Sequence, residues 1–182
     1  MKILALNGSS RDNGNTEYMV ASLLEGIEAS FVDLRKYTIN PIIDKRHDPE
    51  GFRPVDDDYD AVISQVLDQD ILIFATPLYW YGMSGHMKNF VDRWSQSLRD
   101  PRYDFRKIMS EKKALSLIVG GDRVYQKALP LVQQFALIYD FMGIENLGYV
   151  IGSGSKPQTV QADGRVAGDL RFWNEYLKKQ TI

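Results

Sequence analysis

KILALNGSSRDNGNTEYMVASLLEGIE, residues 2–28, holds the pattern on which the fold turns. Lys2 to Leu6 is a short apolar run closed by the turn signal Asn7-Gly8-Ser9-Ser10, which predicts a buried strand. From Thr16 to Glu28 the apolar residues Met19, Val20, Leu23, Leu24 and Ile27 fall on one helical stripe. The segment between them, GSSRDNGNT (Gly8 to Thr16), is polar and glycine-bearing. A strand that feeds a helix through such a loop is the repeating unit of a parallel α/β sheet.

The same alternation continues outward. Ser30 to Leu34 reads as a second strand, Asp58 to Leu67 as a helix, and Asp70 to Ala75 (DILIFA) as a buried third strand. Ser84 to Leu98 reads as a helix, Ala114 to Val119 (ALSLIV) as a fourth strand closed by Gly120-Gly121, and Tyr125 to Met142 as a long apolar helix. Leu147 to Ile151 is the fifth strand, a polar glycine-containing loop follows, and Ala167 to Lys179 is the last helix. Five strands and five helices in alternation predict one parallel sheet covered on both faces, with right-handed crossovers. Residues 36–58 interrupt the rhythm with a polar stretch holding Pro41, Pro49 and Pro54, and a connection of that length is functional or an interface. No repeat or linker divides the chain, so 1–182 is expected to be a single domain.

Composition narrows the chemistry. The chain has 182 residues, 44% hydrophobic and 25% charged, the profile of a globular protein able to bury a full core. With no cysteine there can be no disulfide, thiolate nucleophile, thiolate zinc site or cysteine-held iron–sulfur cluster. The two histidines, His47 and His86, leave little room for a histidine-rich metal site, and no metal is expected. Net charge is −2, so nothing favours nucleic-acid binding. Residues 1–91 carry 8 basic and 14 acidic groups, and residues 92–182 carry 14 and 10. The stretch Arg93 to Lys113 holds seven basic residues against three acidic ones, which reads as a solvated face or a contact for a nucleotide or subunit. No apolar run reaches the ~20 residues that cross a bilayer. The first residues lack a secretory layout, and a cytoplasmic location is expected.

Two loops carry the functional signal. Gly8 to Thr16 follows the first strand, where ligands bind in open α/β sheets and where the next helix presents free N–H groups to an anion. Ser9, Ser10, Asn15 and Thr16 add short polar side chains, Gly8 and Gly14 allow close approach, and Arg11 offers a charge-assisted contact. This reads as a phosphate cradle, or as a turn capped by Asn15 or Thr16. It is not a Walker loop, because Asn15 stands where lysine belongs, and Ser10 breaks the G-x-G-x-x-G pattern. The second loop, Thr76 to Trp94, follows the third strand and opens on Tyr79-Trp80-Tyr81, three aromatics that a loop can aim at a planar ligand or at a neighbouring subunit. Cradle and aromatics on adjacent strands together point to a flavin mononucleotide.

GSSRDNGNT at 8–16 and PLYWYGMSGHMKNFVDRW at 77–94 resemble the NAD(P)H-dependent FMN reductase family. The resemblance implies a flavodoxin-like three-layer sandwich with a five-stranded parallel sheet in the order 2-1-3-4-5. It implies that Ser9, Arg11, Asn15 and Thr16 hold the FMN phosphate, that Pro77, Leu78, Tyr79, Trp80 and Tyr81 flank the ring, and that Gly120 and Gly121 close over its other edge. NADPH or NADH would donate a hydride through FMN to a small-molecule acceptor: free flavin, a quinone, an azo or nitro compound, or a metal oxyanion. No protein residue is assigned a catalytic role, and a homodimer or homotetramer is implied. Some relatives carry a cysteine motif after the second strand, but here that region is TINPIIDKRHDPEGFRP. The alternative is a flavodoxin-type one-electron carrier, to which a charge of only −2 is poorly suited.

Overall fold

The computed structural model describes residues 1–181. Strands β1 (Ile3–Asn7), β2 (Ser30–Asp33), β3 (Ile71–Pro77), β4 (Lys113–Gly120) and β5 (Glu145–Ser153) form one sheet in the order β2-β1-β3-β4-β5. Every neighbouring pair is parallel, so the loops that leave the strand ends gather on one edge. The order reverses between β1 and β3, and that switch point is where such sheets take ligands.

Alternation along each strand builds two cores. Leu4, Leu6, Leu72 and Phe74 face one side, against residues of α2 (Tyr59–Leu67), α3 (Gly85–Asp92), α4 (Trp94–Ser97), α5 (Phe105–Ser110) and α7 (Leu129–Met142). Ile3, Ala5, Ile71, Ile73 and Ala75 face the other, against α1 (Asn15–Leu23) and α8 (Gly164–Gln180). Burial on both faces is why these strands read as continuous apolar runs.

The helices depart from the expected boundaries, and among the described residues there are eight α-helices where five were expected. Helix α1 stops at Leu23 rather than Glu28, and the chain then turns through Gly26 at φ +70. The 125–142 segment is two helices, α6 (Val124–Lys127) and α7, with Pro130 in the first turn of α7. Proline lacks the N–H and fits a helix start, not its interior. The 84–98 segment divides at Arg93 into α3 and α4. Helix α5 lies unannounced inside the basic stretch; the Asp104 side chain accepts from the Lys107 N–H to open it, and only Phe105 and Met109 are buried. Strand β5 is longer than expected at both ends.

The long connection after β2 is closed at its neck. Thr38 N–H donates to Asp58 Oδ2 at 2.6 Å, Asp58 N–H returns to Thr38 O at 2.9 Å, and Asn40 N–H donates to Asp57 Oδ2 at 3.0 Å. Arg93 Nη1 donates to that same Asp57 oxygen at 2.6 Å, with side-chain exposures of 3% and 1%. The guanidinium lies 4.6 Å from the Tyr59 ring centroid and also donates to Asn40 O and Gln96 Oε1. Burial pushes the Asp57 carboxyl up, but hydrogen bonds from Arg93, Asn40 and Tyr59 and the Arg93 charge hold it below its ordinary 3.8.

Candidate active site at the sheet edge

The loop after β1 is shaped by its own side chains. Asn7 Oδ1 accepts from Ser9 N–H at 3.1 Å, and Ser9 Oγ accepts from Arg11 N–H and donates to Arg11 O. Helix α1 then starts at Asn15, with Gly14 at the cap position and no side-chain cap. The first-turn N–H groups have no carbonyl one turn back, so they and the helix dipole are free to receive an anion. Thr16 is buried at this helix start. Arg11 forms no ion pair among the described residues, because the adjacent carboxylate, Asp12, is turned to Arg35 instead.

The rim extends from strand to strand by backbone hydrogen bonds. Gly8 N–H donates to Ala75 O, Leu78 N–H to Val119 O, and Gly154 N–H to Gly120 O, each at 2.8 Å. The walls of the cleft are therefore continuations of the sheet. They enclose about 200 Å³ lined by Ser9, Arg11, Gly14, Asn15 and Thr16 on the first side, Pro77, Leu78 and Tyr79 on the second, and Val119, Gly120, Gly121, Gly154 and Ser155 on the third. Larger cavities lie elsewhere, but neither the α3/α7 groove nor the pocket under the 40–55 loop contains the strand-end loops.

Nine of the eleven expected site residues line this one cleft: Ser9, Arg11, Asn15, Thr16, Pro77, Leu78, Tyr79, Gly120 and Gly121. Trp80 and Tyr81 do not. They are the two central residues of a tight turn in which Tyr79 and Gly82 exchange backbone hydrogen bonds, and both are left-handed, at φ 49 and 66. This geometry normally calls for asparagine and glycine, and a bulky side chain there costs about 1–2 kcal/mol per residue. The turn sends the aromatics three ways. The Tyr79 hydroxyl shares a 2.5 Å hydrogen bond with Ser10, Tyr81 lies 6.0 Å under the Lys127 ammonium, and Trp80 is 96% exposed.

Asn15 also differs from the expected arrangement. Its side chain donates to Gly154 O and Lys156 O at 2.9 Å and accepts from Val160 N–H at 3.2 Å. It pins the loop after β5 onto α1, so its side-chain hydrogen bonds are spent on that loop and not on a ligand. The Gly154–Ser155 wall was missed in the sequence, where the loop after the fifth strand showed only polar residues and glycine. A Cβ at Gly154 would lie 2.7 Å from Val160 N, and one at Gly121 2.9 Å from Ser155 Cβ, so both glycines are required by the close approach of loops. His47 and His86 are exposed and outside the cleft, and Asp122 is paired with Lys127.

The donor set suits FMN. Hydroxyls, free amides and one guanidinium line the phosphate side, and no carboxylate does. The Asn7 amide nitrogen, at the root of the loop, is buried without a partner among the described residues. Apolar Pro77, Leu78 and Val119, together with Gly120, Gly121 and Gly154, leave a slot suited to the edge of a flat ring.

A profile of the NADPH-dependent FMN reductase family matches residues 1–154. YwqN of Bacillus subtilis (strain 168), whose name describes an NAD(P)H-dependent FMN-containing oxidoreductase, is 51% identical over 164 residues, 90% of this chain and 91% of that one. A solved Bacillus subtilis structure, described as a Trp repressor binding protein, superposes with a TM-score of 0.79 at 40% identity over 93% of this chain and 95% of that one. An iron–sulfur flavoprotein of Methanocaldococcus jannaschii, MJ1083, is 35% identical over 105 residues, 54% of each chain, whereas the present chain has no cysteine to hold a cluster. The flavodoxin-like sheet, its donor-lined cleft and these likenesses together place the chain in the NADPH-dependent FMN reductase family, as an oxidoreductase with FMN as cofactor and NAD(P)H as electron donor.

Proposed function

We propose that the whole chain is a single FMN-binding domain that passes electrons from NAD(P)H to a small-molecule acceptor, such as free flavin, a quinone, an azo or nitro compound, or a metal oxyanion. The observation that carries this is the meeting of the uncapped α1 start and the unpaired Arg11 with the Pro77–Tyr79 and Gly120–Gly121 walls in one cleft. FMN held in this cleft would supply the hydride-transfer chemistry that links NAD(P)H to the acceptor.

The chain's own residues bind and orient. Arg11, the Thr16 hydroxyl and the first-turn amides of α1 hold the phosphate, with Ser9 shaping the loop beneath it. Leu78 and Tyr79 seat one edge of the ring, and Gly120 and Gly121 let it approach the β4 loop. Trp80 and Tyr81 stand on the rim, where they meet whatever stacks on the ring's open side. Donor and acceptor would use that open side in turn, and solvent at the exposed rim would supply the proton that accompanies reduction of the acceptor, so no dedicated acid is assigned. The enzyme acts in the cytoplasm; among the described residues no helix is long and apolar enough to cross a membrane. It assembles as a homodimer or homotetramer, with the 36–58 loop and the basic 93–113 stretch as its contacts.

Two experiments test this. Anaerobic stopped-flow mixing of the FMN-loaded protein with NADPH and with NADH should bleach the flavin rapidly with the preferred nucleotide. Bleaching by dithionite alone would overturn the reductase reading and favour the one-electron carrier. In Arg11→Ala the lost charge-assisted contact should weaken FMN binding by about 10–100-fold, measured by quenching of flavin fluorescence. An unchanged affinity would remove Arg11 from the phosphate site.

A further inference from the structure

We propose that Arg35 is a positioning residue for the phosphate-binding loop: from the end of β2 it holds Asp12 and Glu17 in place and offsets three carboxylates that would otherwise repel the cofactor phosphate. This rests on the phosphate cradle proposed above. Arg35 lies outside that cleft, in the short 3-10 turn Leu34–Lys36 that follows β2.

The first half of the loop, residues 7–11, is held by Asn7 and Ser9. The second half has no such internal support. It is held instead from the neighbouring strand. Arg35 Nη1 reaches Asp12 Oδ1 at 2.7 Å, and Nη2 reaches Glu17 Oε1 at 2.7 Å. Asp33, at the end of β2, fixes the guanidinium through Nε at 2.9 Å and Nη2 at 2.5 Å. Glu17 passes the restraint on: its second oxygen accepts from Asn13 N–H at 2.8 Å, and Asn13 is left-handed at φ 49. Asp12 follows Arg11 directly, so drawing Asp12 toward β2 leaves Arg11 to face the cleft.

Charge makes the arrangement costly without Arg35. Carboxylate oxygens of Asp12, Glu17 and Asp33 all lie within 4.8 Å of one another, at the start of the helix that would receive a phosphate. The planar fork serves the three carboxylates from separate nitrogens, Nη1 for Asp12, Nη2 for Glu17, and Nε with Nη2 for Asp33, whereas an ammonium gathers its three donors on one atom. A lysine supplies the charge but not the fork.

The test compares dissociation constants for FMN and for riboflavin, which lacks the phosphate, using flavin fluorescence on wild type, Arg35→Met and Arg35→Lys. Arg35→Met should weaken FMN by about tenfold or more while riboflavin changes by less than about threefold. Millimolar Mg²⁺ should recover part of the FMN affinity in Arg35→Met, because the three carboxylates then accept another cation, and should leave wild type unchanged. Arg35→Lys should show a smaller, FMN-selective loss, and it carries the comparison if Arg35→Met does not fold. Equal losses for FMN and riboflavin, or no loss for either, would overturn the proposal. A wild type that binds riboflavin as tightly as FMN would instead overturn the cradle itself.

Discussion

Asp57→Ala should lower the free energy of unfolding by about 3–5 kcal/mol, because it leaves the buried Arg93 guanidinium without its carboxylate. The two side chains are almost fully buried, at 1% and 3% exposure, so water cannot take the missing partner's place. Asn40 O and Gln96 Oε1 remain as neutral acceptors, which favours the lower end of that range. The same change removes the acceptor of Asn40 N–H and so loosens the neck of the 40–57 loop. Urea unfolding measures the loss directly, and for a chain of this size the melting temperature should fall by roughly 10 °C. Replacing both residues, Asp57→Leu with Arg93→Leu, should cost less than Asp57→Ala alone, since no charge is then left stranded. A single-variant loss below about 1 kcal/mol would mean that the pair is solvated.

The pH dependence follows from the direction of the Asp57 shift. Its carboxyl titrates lower in the folded chain than its ordinary 3.8. The stability it contributes is therefore fully present above the unfolded value and is lost as pH falls through the folded one. The gap in unfolding free energy between wild type and Asp57→Ala should accordingly be constant near neutrality and narrow below about pH 4.

The five-stranded parallel sheet was legible because it rests on periodicity and composition, whereas the strand order, and with it the switch point, came from the family resemblance. Five apolar runs bounded by turn residues can be buried in few ways, and the polar loop after the first run and the aromatic loop after the third mark the ligand edge once those strands are neighbours. The loop proposed to hold the phosphate stood out for a similar reason: a helix start rich in short polar residues is a local feature. What stayed hidden depends on partners far along the chain. Helix α5 shows few apolar residues because only Phe105 and Met109 turn inward. The left-handed Trp80–Tyr81 turn runs against the usual preference for asparagine and glycine, so local residue preference gives no signal of it. Arg35 gives no signal at all, since its three carboxylates come from positions 12, 17 and 33.

Asn15 shows the same division within one residue, and its replacement should have the second large effect. In the sequence it looked like a phosphate ligand or a cap; in the fold it spans 139 residues to Gly154 and 145 to Val160. Asn15→Ala removes three hydrogen bonds at a site only 8% exposed, and should destabilise the protein by about 2–4 kcal/mol. The Gly154–Ser155 wall then loses its tether to α1, although Gly154 N–H can still bond Gly120 O. A displaced wall penalises every ligand of the cleft, whether or not it carries a phosphate. FMN and riboflavin should thus lose affinity together in Asn15→Ala, by about tenfold or more, whereas Arg11→Ala should weaken FMN alone. Asn15→Asp should be no better than alanine: it keeps the acceptor for Val160 N–H but sets a carboxylate against two carbonyl oxygens. An FMN-selective loss in Asn15→Ala would return the side chain to the phosphate and require the 154–160 loop to be held by its remaining backbone bonds.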